Sequence, residues 1–317
     1  MPFAYDAQLM ASVRAAMAHD GLVRPEPARR DDWKALRDNI EHTLSTMDAN
    51  LPERADVTRA EYRIGSYDGV EVVARWYLPE GGGAGSAAVF LHGGGMIAGT
   101  VALHDRLIAA YAGDSGVPLL AVDYRRAPED PHPAPVEDGY AGLAWLSEHA
   151  AELGVDPARI AVMGESGGGG LAAGTVLLAR DRGLPVARQI LVYPMLDDRN
   201  TEPDPALAPF AAWSYDDNHT GWHALLGAAI GGPDVAAAAA PARARDLSGL
   251  PPTYVEVGEL DIFRDESIEY ARRIALAGTS VELHVHPGCP HGFEHISADA
   301  DVVLRSRADR LRALTSF

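Results

Sequence analysis

A serine hydroxyl attacks a carbonyl carbon only if one group takes its proton and others receive the charge that develops on the carbonyl oxygen. The stretch RIAVMGESGGGGLAAGT, residues 159–175, sets a single serine, Ser166, among glycines. Glycine tolerates left-handed and strained dihedrals and weakens any helix that contains it. Such a run suits a backbone that must turn sharply or let a neighbour come close. Gly164-Glu165-Ser166-Gly167-Gly168 matches G-x-S-x-G, after a strand-like run and before a helical pattern. In that context the serine stands on a tight strand-to-helix turn with its Oγ exposed, and the amide of Gly167 can face an oxyanion. The pentapeptide alone suits a phosphate on a glycine-rich turn equally well. That alternative lacks the Lys-Ser/Thr ending of a P-loop, and a dinucleotide site would place the motif after the first strand.

A second glycine element favours acyl chemistry. FLHGGGMIAGT, residues 90–100, ends another apolar run with His92-Gly93-Gly94-Gly95. Three glycines after a strand expose backbone N–H groups, the arrangement that receives an oxyanion in lipases and esterases. The serine also needs a base, and the base an orienting carboxylate, in the chain order Ser, Asp or Glu, His. VEVGELDIFRDES places Asp261 at a strand end, and HPGCPHGFEH places His291 in a Pro-His-Gly loop after the last strand. Glu259, Asp265 and Glu266 are rivals for the carboxylate, but Asp265 and Glu266 fall inside a helix, expected to face solvent or cap it. His284 and His286 alternate along a strand and read as structural, and His295 lies just past the loop.

These residues need a frame. Leu9, Val13 and Met17 recur at helical spacing, a second helix follows around DWKALRDNIEHTL, and Pro25 and Pro27 separate the two. VTRAEYRI and VEVVARWYLP around GSYDG read as a hairpin, with EGGGAGS as a loop after it. From AAVFLH onward, apolar strands (PLLAVDY, RIAVMG, RQILVYP, PTYVEVGE, VELHVHP) alternate with helices near 103–113, 136–150, 170–181, 265–277 and 301–314. That rhythm predicts an α/β fold: a mostly parallel sheet with helices on both faces. Open sheets of this kind bind ligands at strand C-termini, where both glycine elements lie. Residues 197–250, rich in Pro, Ala and aromatics, break the rhythm and read as an insertion carrying some helix within a single 1–317 domain.

The chain has 317 residues, 47% hydrophobic and 23% charged, enough for a sizeable core. Forty-five acidic against 27 basic residues give a formal charge of −18. That surface disfavours nucleic acid and anionic membranes. The lone Cys289 excludes an intrachain disulfide and fits a reducing cytoplasm. The first residues lack a basic start followed by an apolar run, and no apolar stretch is long enough to span a bilayer. With no H-E-x-x-H and no Cys/His cluster of zinc spacing, neither metal nor cofactor is expected.

Taken together, HGGG, DYRRAPEDPHPAPVEDGYAGLAWL, GESGGG, DIFRDE and HGF resemble the bacterial hormone-sensitive-lipase-like carboxylesterases over roughly residues 56–317. DPARIAVMGESGGGGLAAGT with DLSGLPPTY is most similar to the heroin esterase branch. The resemblance implies an α/β-hydrolase fold and hydrolysis of short- to medium-chain esters, with Ser166 as nucleophile, His291 as base and then acid, and Asp261 as its orienting partner. It implies an oxyanion hole from the amides of Gly94, Gly95 and Gly167. Tyr124-Arg125-Arg126-Ala127-Pro128-Glu129 would support the catalytic loops. A cap would form from residues 1–50 and 197–235 over a core of 51–196 and 236–317, and a homodimer is in keeping with the family. The partner expected is a small-molecule ester. Departures from the pattern are Glu165 for the usual Asp, Gly167 for Ala, DIF for DPL, and Met96 where an aromatic is common. Met96, Trp213, Trp222 and Phe3 are candidates to line a substrate pocket, although packing within the cap explains the aromatics more simply. An amidase, lactonase or deacetylase would use the same triad, and a hydrolase fold that only binds its ligand is the rival of another class.

Overall fold

A computed structural model describes residues 3–20, 26–82 and 85–317, without the side chains of 16–20. Pro25, the Met17 side chain and the Gly83-Ala84 part of the EGGGAGS loop lie outside the described residues. Eight strands form one sheet: β1 (Val57–Gly65), β2 (Glu71–Pro79), β3 (Ala87–Leu91), β4 (Leu119–Asp123), β5 (Ile160–Glu165), β6 (Arg188–Val192), β7 (Thr253–Gly258) and β8 (Val281–His286). Their order is β1-β2-β4-β3-β5-β6-β7-β8. The β1–β2 hairpin runs antiparallel, and every pairing from β4 to β8 is parallel. β3, β5 and β7 are buried at every position, as strands covered on both faces must be.

Helices cover both faces: α3 (Asp105–Ser115), α4 (Ala134–Glu148), α5 (Gly167–Asp181), α7 (Arg264–Leu276) and α8 (Asp301–Leu314). α5 starts at Gly167, three residues earlier than the apolar pattern predicts, because its first turn is glycine and carries no periodic side chains. Two N-terminal helices, α1 (Ala7–Asp20) and α2 (Trp33–Asn50), precede the sheet. The insertion after β6 contributes α6 (Tyr215–Leu226), opened by a capping box in which Ser214 and Asp217 satisfy each other's backbone N–H. α2 packs against α6 and against α3. Its Arg37 donates to the carbonyls of Ile97 and Ala127 and pairs with Glu129, which ties the helix to the loops that follow β3 and β4. Among the described residues no helix is long and apolar enough to cross a membrane.

Candidate active site

Ser166 follows β5 directly and begins α5 at φ 55°, ψ −120°, a conformation that few residues other than glycine adopt. Its neighbours hold it there: Ser166 N–H donates to Val192 O, and Ser166 O accepts from Gly170 N–H and Met195 N–H. The flanking glycines permit the turn. A Cβ on Gly164 would lie 2.1 Å from Gly168 O, and one on Gly168 would lie 2.2 Å from the carbonyl oxygens of both Leu91 and His92. Strand β3 therefore passes against the first turn of α5, and the two glycine elements meet.

The β3 end supplies the facing loop. Gly94 and Gly95 both have positive φ, 121° and 60°. A Cβ on Gly95 would enter the Trp213 ring at 2.6 Å, and one on Gly167 would come within 2.9 Å of Gly95 N. The Gly95 and Gly167 backbones thus lie side by side, with Trp213 from the insertion packed over them. Tyr124 O–H donates to His92 O, Ala127 N–H to Met96 O, and Arg126 to Gly99 O, so the Tyr124–Glu129 stretch braces this loop.

The other two groups arrive from β7 and β8. His291 Nε2 is 2.8 Å from Ser166 Oγ, and its Nδ1 is 2.7 Å from Asp261 Oδ2. With Nδ1–H donated to the carboxylate, Nε2 keeps a lone pair for the serine proton. Asp261 is buried, and its other oxygen accepts from Phe263 N–H. The His291 ring sits edge-on between Tyr193 and Phe263, with centroids at 4.7 and 5.1 Å. His284 and His286 stack on each other at 6.0 Å on β8, and Glu259 accepts from Gly288 N–H.

Three readings of the sequence change. Met96 and Trp222 are fully buried and offer no surface to a ligand. Met96 has φ 64° and sends its methyl toward Gly170, inside the hydrolase core. Trp213 is part-exposed beside the glycine loop, and Phe3, also part-exposed, lies under Arg264 at 5.4 Å. Glu266, part-exposed, faces the insertion: it accepts from Leu196 N–H and Asn200 Nδ2 and pins the insertion's start.

A charged layer that sequence reasoning missed lies beneath the serine. Glu165 accepts from Tyr111 O–H at 2.7 Å, and Arg310 donates to the same Tyr111 oxygen at 2.9 Å. Arg310 also pairs with Glu256 and, at 2.6 Å, with Glu294, which accepts from Tyr193 O–H. Burial pushes the Glu165 carboxyl up to about 7, only partly offset by Arg310. Burial works against the Glu294 charge too, yet Arg310 and His295 outweigh it and bring the carboxyl to about 2. One signal was available: Arg310 falls on the buried stripe of α8 with Val303, Ser306 and Leu314, where a charge implies a buried partner.

Such a site, with a serine on a strained strand-to-helix turn at the C-terminal end of a parallel sheet, defines a class of hydrolases. The model of the alpha/beta hydrolase fold matches residues 88–295. The chain belongs to that family. It is 37% identical over 282 residues to carboxylesterase NlhH of Mycobacterium tuberculosis, covering 83% of this chain and 85% of that one. It is 34% identical to ethyl acetate hydrolase of Pseudomonas putida, over 71% of this chain and 72% of the relative. Among solved structures it resembles a bacterial heroin esterase, with TM-score 0.88, 40% identity and coverage of 98% and 97%.

Proposed function

We propose that this chain is a serine carboxylesterase that hydrolyses small esters with short to medium acyl chains. Ser166 is the nucleophile, His291 the base and then the acid, and Asp261 holds the imidazole in the productive tautomer. The observation that carries the reading is the unbroken chain of 2.8 and 2.7 Å contacts from Ser166 through His291 to Asp261. Serine attack sends its proton to His291 Nε2 and leaves a tetrahedral oxyanion facing the amides of Gly94, Gly95 and Gly167. One such donor contributes about 2.7–4 kcal/mol in comparable sites. His291 then protonates the departing alcohol, and water cleaves the acyl-enzyme with the same base.

Residues 1–50 and 197–235 form the cap, supported by the α2–α6 contact and by Trp213 over the glycine loop. The free edge of β8 supports a homodimer, and the free buried thiol of Cys289 supports a reducing, cytoplasmic setting. The test is turnover of p-nitrophenyl esters from two to twelve carbons, wild type beside Ser166→Ala. We expect a maximum at short chains and a loss of about 10⁶-fold in kcat for the variant. No turnover, together with no fluorophosphonate adduct on Ser166, would move the chain to the binding-protein class. An adduct without ester turnover would move the reaction to amides or lactones.

A further inference from the structure

Away from Ser166, α6 carries two histidines four residues apart, His219 and His223, which share one face of the helix. The segment before α2 brings Asp31 against that face. Asp31 Oδ1 lies 2.7 Å from His223 Nδ1 and 3.4 Å from His219 Nε2. Asp31 is not glycine, yet it sits at φ 69°, and its N–H donates to Thr220 Oγ1 at 2.9 Å. α6 thus holds Asp31 in a rarely populated conformation that aims its carboxylate at both imidazoles.

We propose that Asp31, His219 and His223 form a binding site for a borderline divalent cation of the zinc class, with water completing the shell. One donor atom from each residue lies within 4.8 Å of the other two. Bonds of about 2.0–2.1 Å in a tetrahedron require donors about 3.3–3.5 Å apart, so side-chain adjustment alone closes the site. Two imidazoles and one carboxylate suit zinc better than calcium or magnesium, which prefer oxygen. Arg30 donates to His219 Nδ1 at 2.8 Å, but its side chain is 46% exposed and already lies 3.7 Å from Asp216. It can move to that carboxylate and leave Nδ1 to carry the ring proton. The comparable cluster of Glu282, His284 and Asp309 is less suited, because Arg312 and Arg188 already engage its carboxylates.

The ion would clamp the segment before α2 to α6. Between the two histidines α6 also carries Gly221, where a Cβ would lie 3.0 Å from Gly95 O, so the clamp bears on the wall beside the glycine loop. The sequence reading, which expected no metal, passed over the His-x3-His pair, because its third ligand is 192 residues away from His223.

Calorimetric titration of the metal-stripped full chain with zinc chloride, followed by thermal unfolding, tests this. One saturable site of micromolar affinity and a higher Tm with zinc are expected. His223→Gln and Asp31→Asn should each weaken binding by about tenfold or more, whereas Ser166→Ala should bind as wild type does. Melting of the metal-free variants shows that they are folded, and Asp31→Asn keeps the test valid if the helix variant is not. Absence of saturable binding, binding unchanged in both variants, or equal competition by magnesium would each overturn the proposal.

Discussion

Two sets of charges flank the candidate site, and they follow opposite rules. Beneath Ser166, Arg310 is 3% exposed and meets Glu256, Glu294 and Tyr111, with Glu165 one hydrogen bond further on. Above it, a seam between α2 and the loop after β4 holds Arg37–Glu129 and Arg126–Glu41, pairs that keep contact with water. Burial costs each ion of the deep layer several kcal/mol, so every member depends on its partners. The seam pairs are screened and contribute about 0–1 kcal/mol each. The deep layer fixes the residue before the serine and the residue three after His291. The seam pairs can part without leaving a buried charge unpaired, whereas the deep layer cannot.

The largest effect should come from Arg310→Met. Removing the central cation strands Glu256 and Glu294, and chemical denaturation should show a loss of about 3–5 kcal/mol. A loss below about 1 kcal/mol would mean that the layer is not the mutually dependent set described.

Glu165→Gln should act through pH. The Glu165 carboxyl is raised from 4.5 to about 7, so the fold prefers its protonated form. That contribution is complete below pH 4.5 and is lost as pH rises toward 7. The variant, neutral throughout, should therefore lose less stability than wild type between pH 5 and 7. Expressed as Tm, the two profiles should diverge by a few degrees. Parallel profiles would contradict a buried, half-ionised Glu165.

Glu129→Gln should do least. Its carboxylate is held at about 2, chiefly by Arg37, but the side chain is half exposed. Stability should change by about 0.5 kcal/mol, and the difference should vanish in 1 M salt. A larger, salt-insensitive effect would remove the contrast between seam and layer.

How much of this was legible depends on range. The strand-to-helix turn at Ser166 and the glycine loop are local: Gly164, Gly168, Gly94 and Gly95 carry their meaning within a few residues of Ser166 or His92. The strands from β3 to β7 were legible because burial on both faces makes short apolar runs, whereas the part-buried edge strand β8 shows alternation. The start of α5 was missed because glycines show no periodicity. Glu266 was misjudged because helical spacing says which residues share a face, not what that face meets. Met96, a pocket candidate by its place after the glycines, and Trp222, for which packing was the simpler reading, both lie in the interior because of what their elements pack against.

By itself the sequence pointed to acyl-transfer chemistry, to Ser166, Asp261 and His291 in the chain order such a site uses, and to the parallel sheet that presents them. The sheet and the glycine elements follow from residue types and short spacings, which local sterics and burial read directly, and the triad from its chain order after successive strands. Only the tertiary structure decided which charges are buried together around Arg310, that Asp31 faces His219 and His223, and that Trp213 lies over Gly95. These are meetings of residues far apart in the chain, and what brings them together is the packing of whole elements.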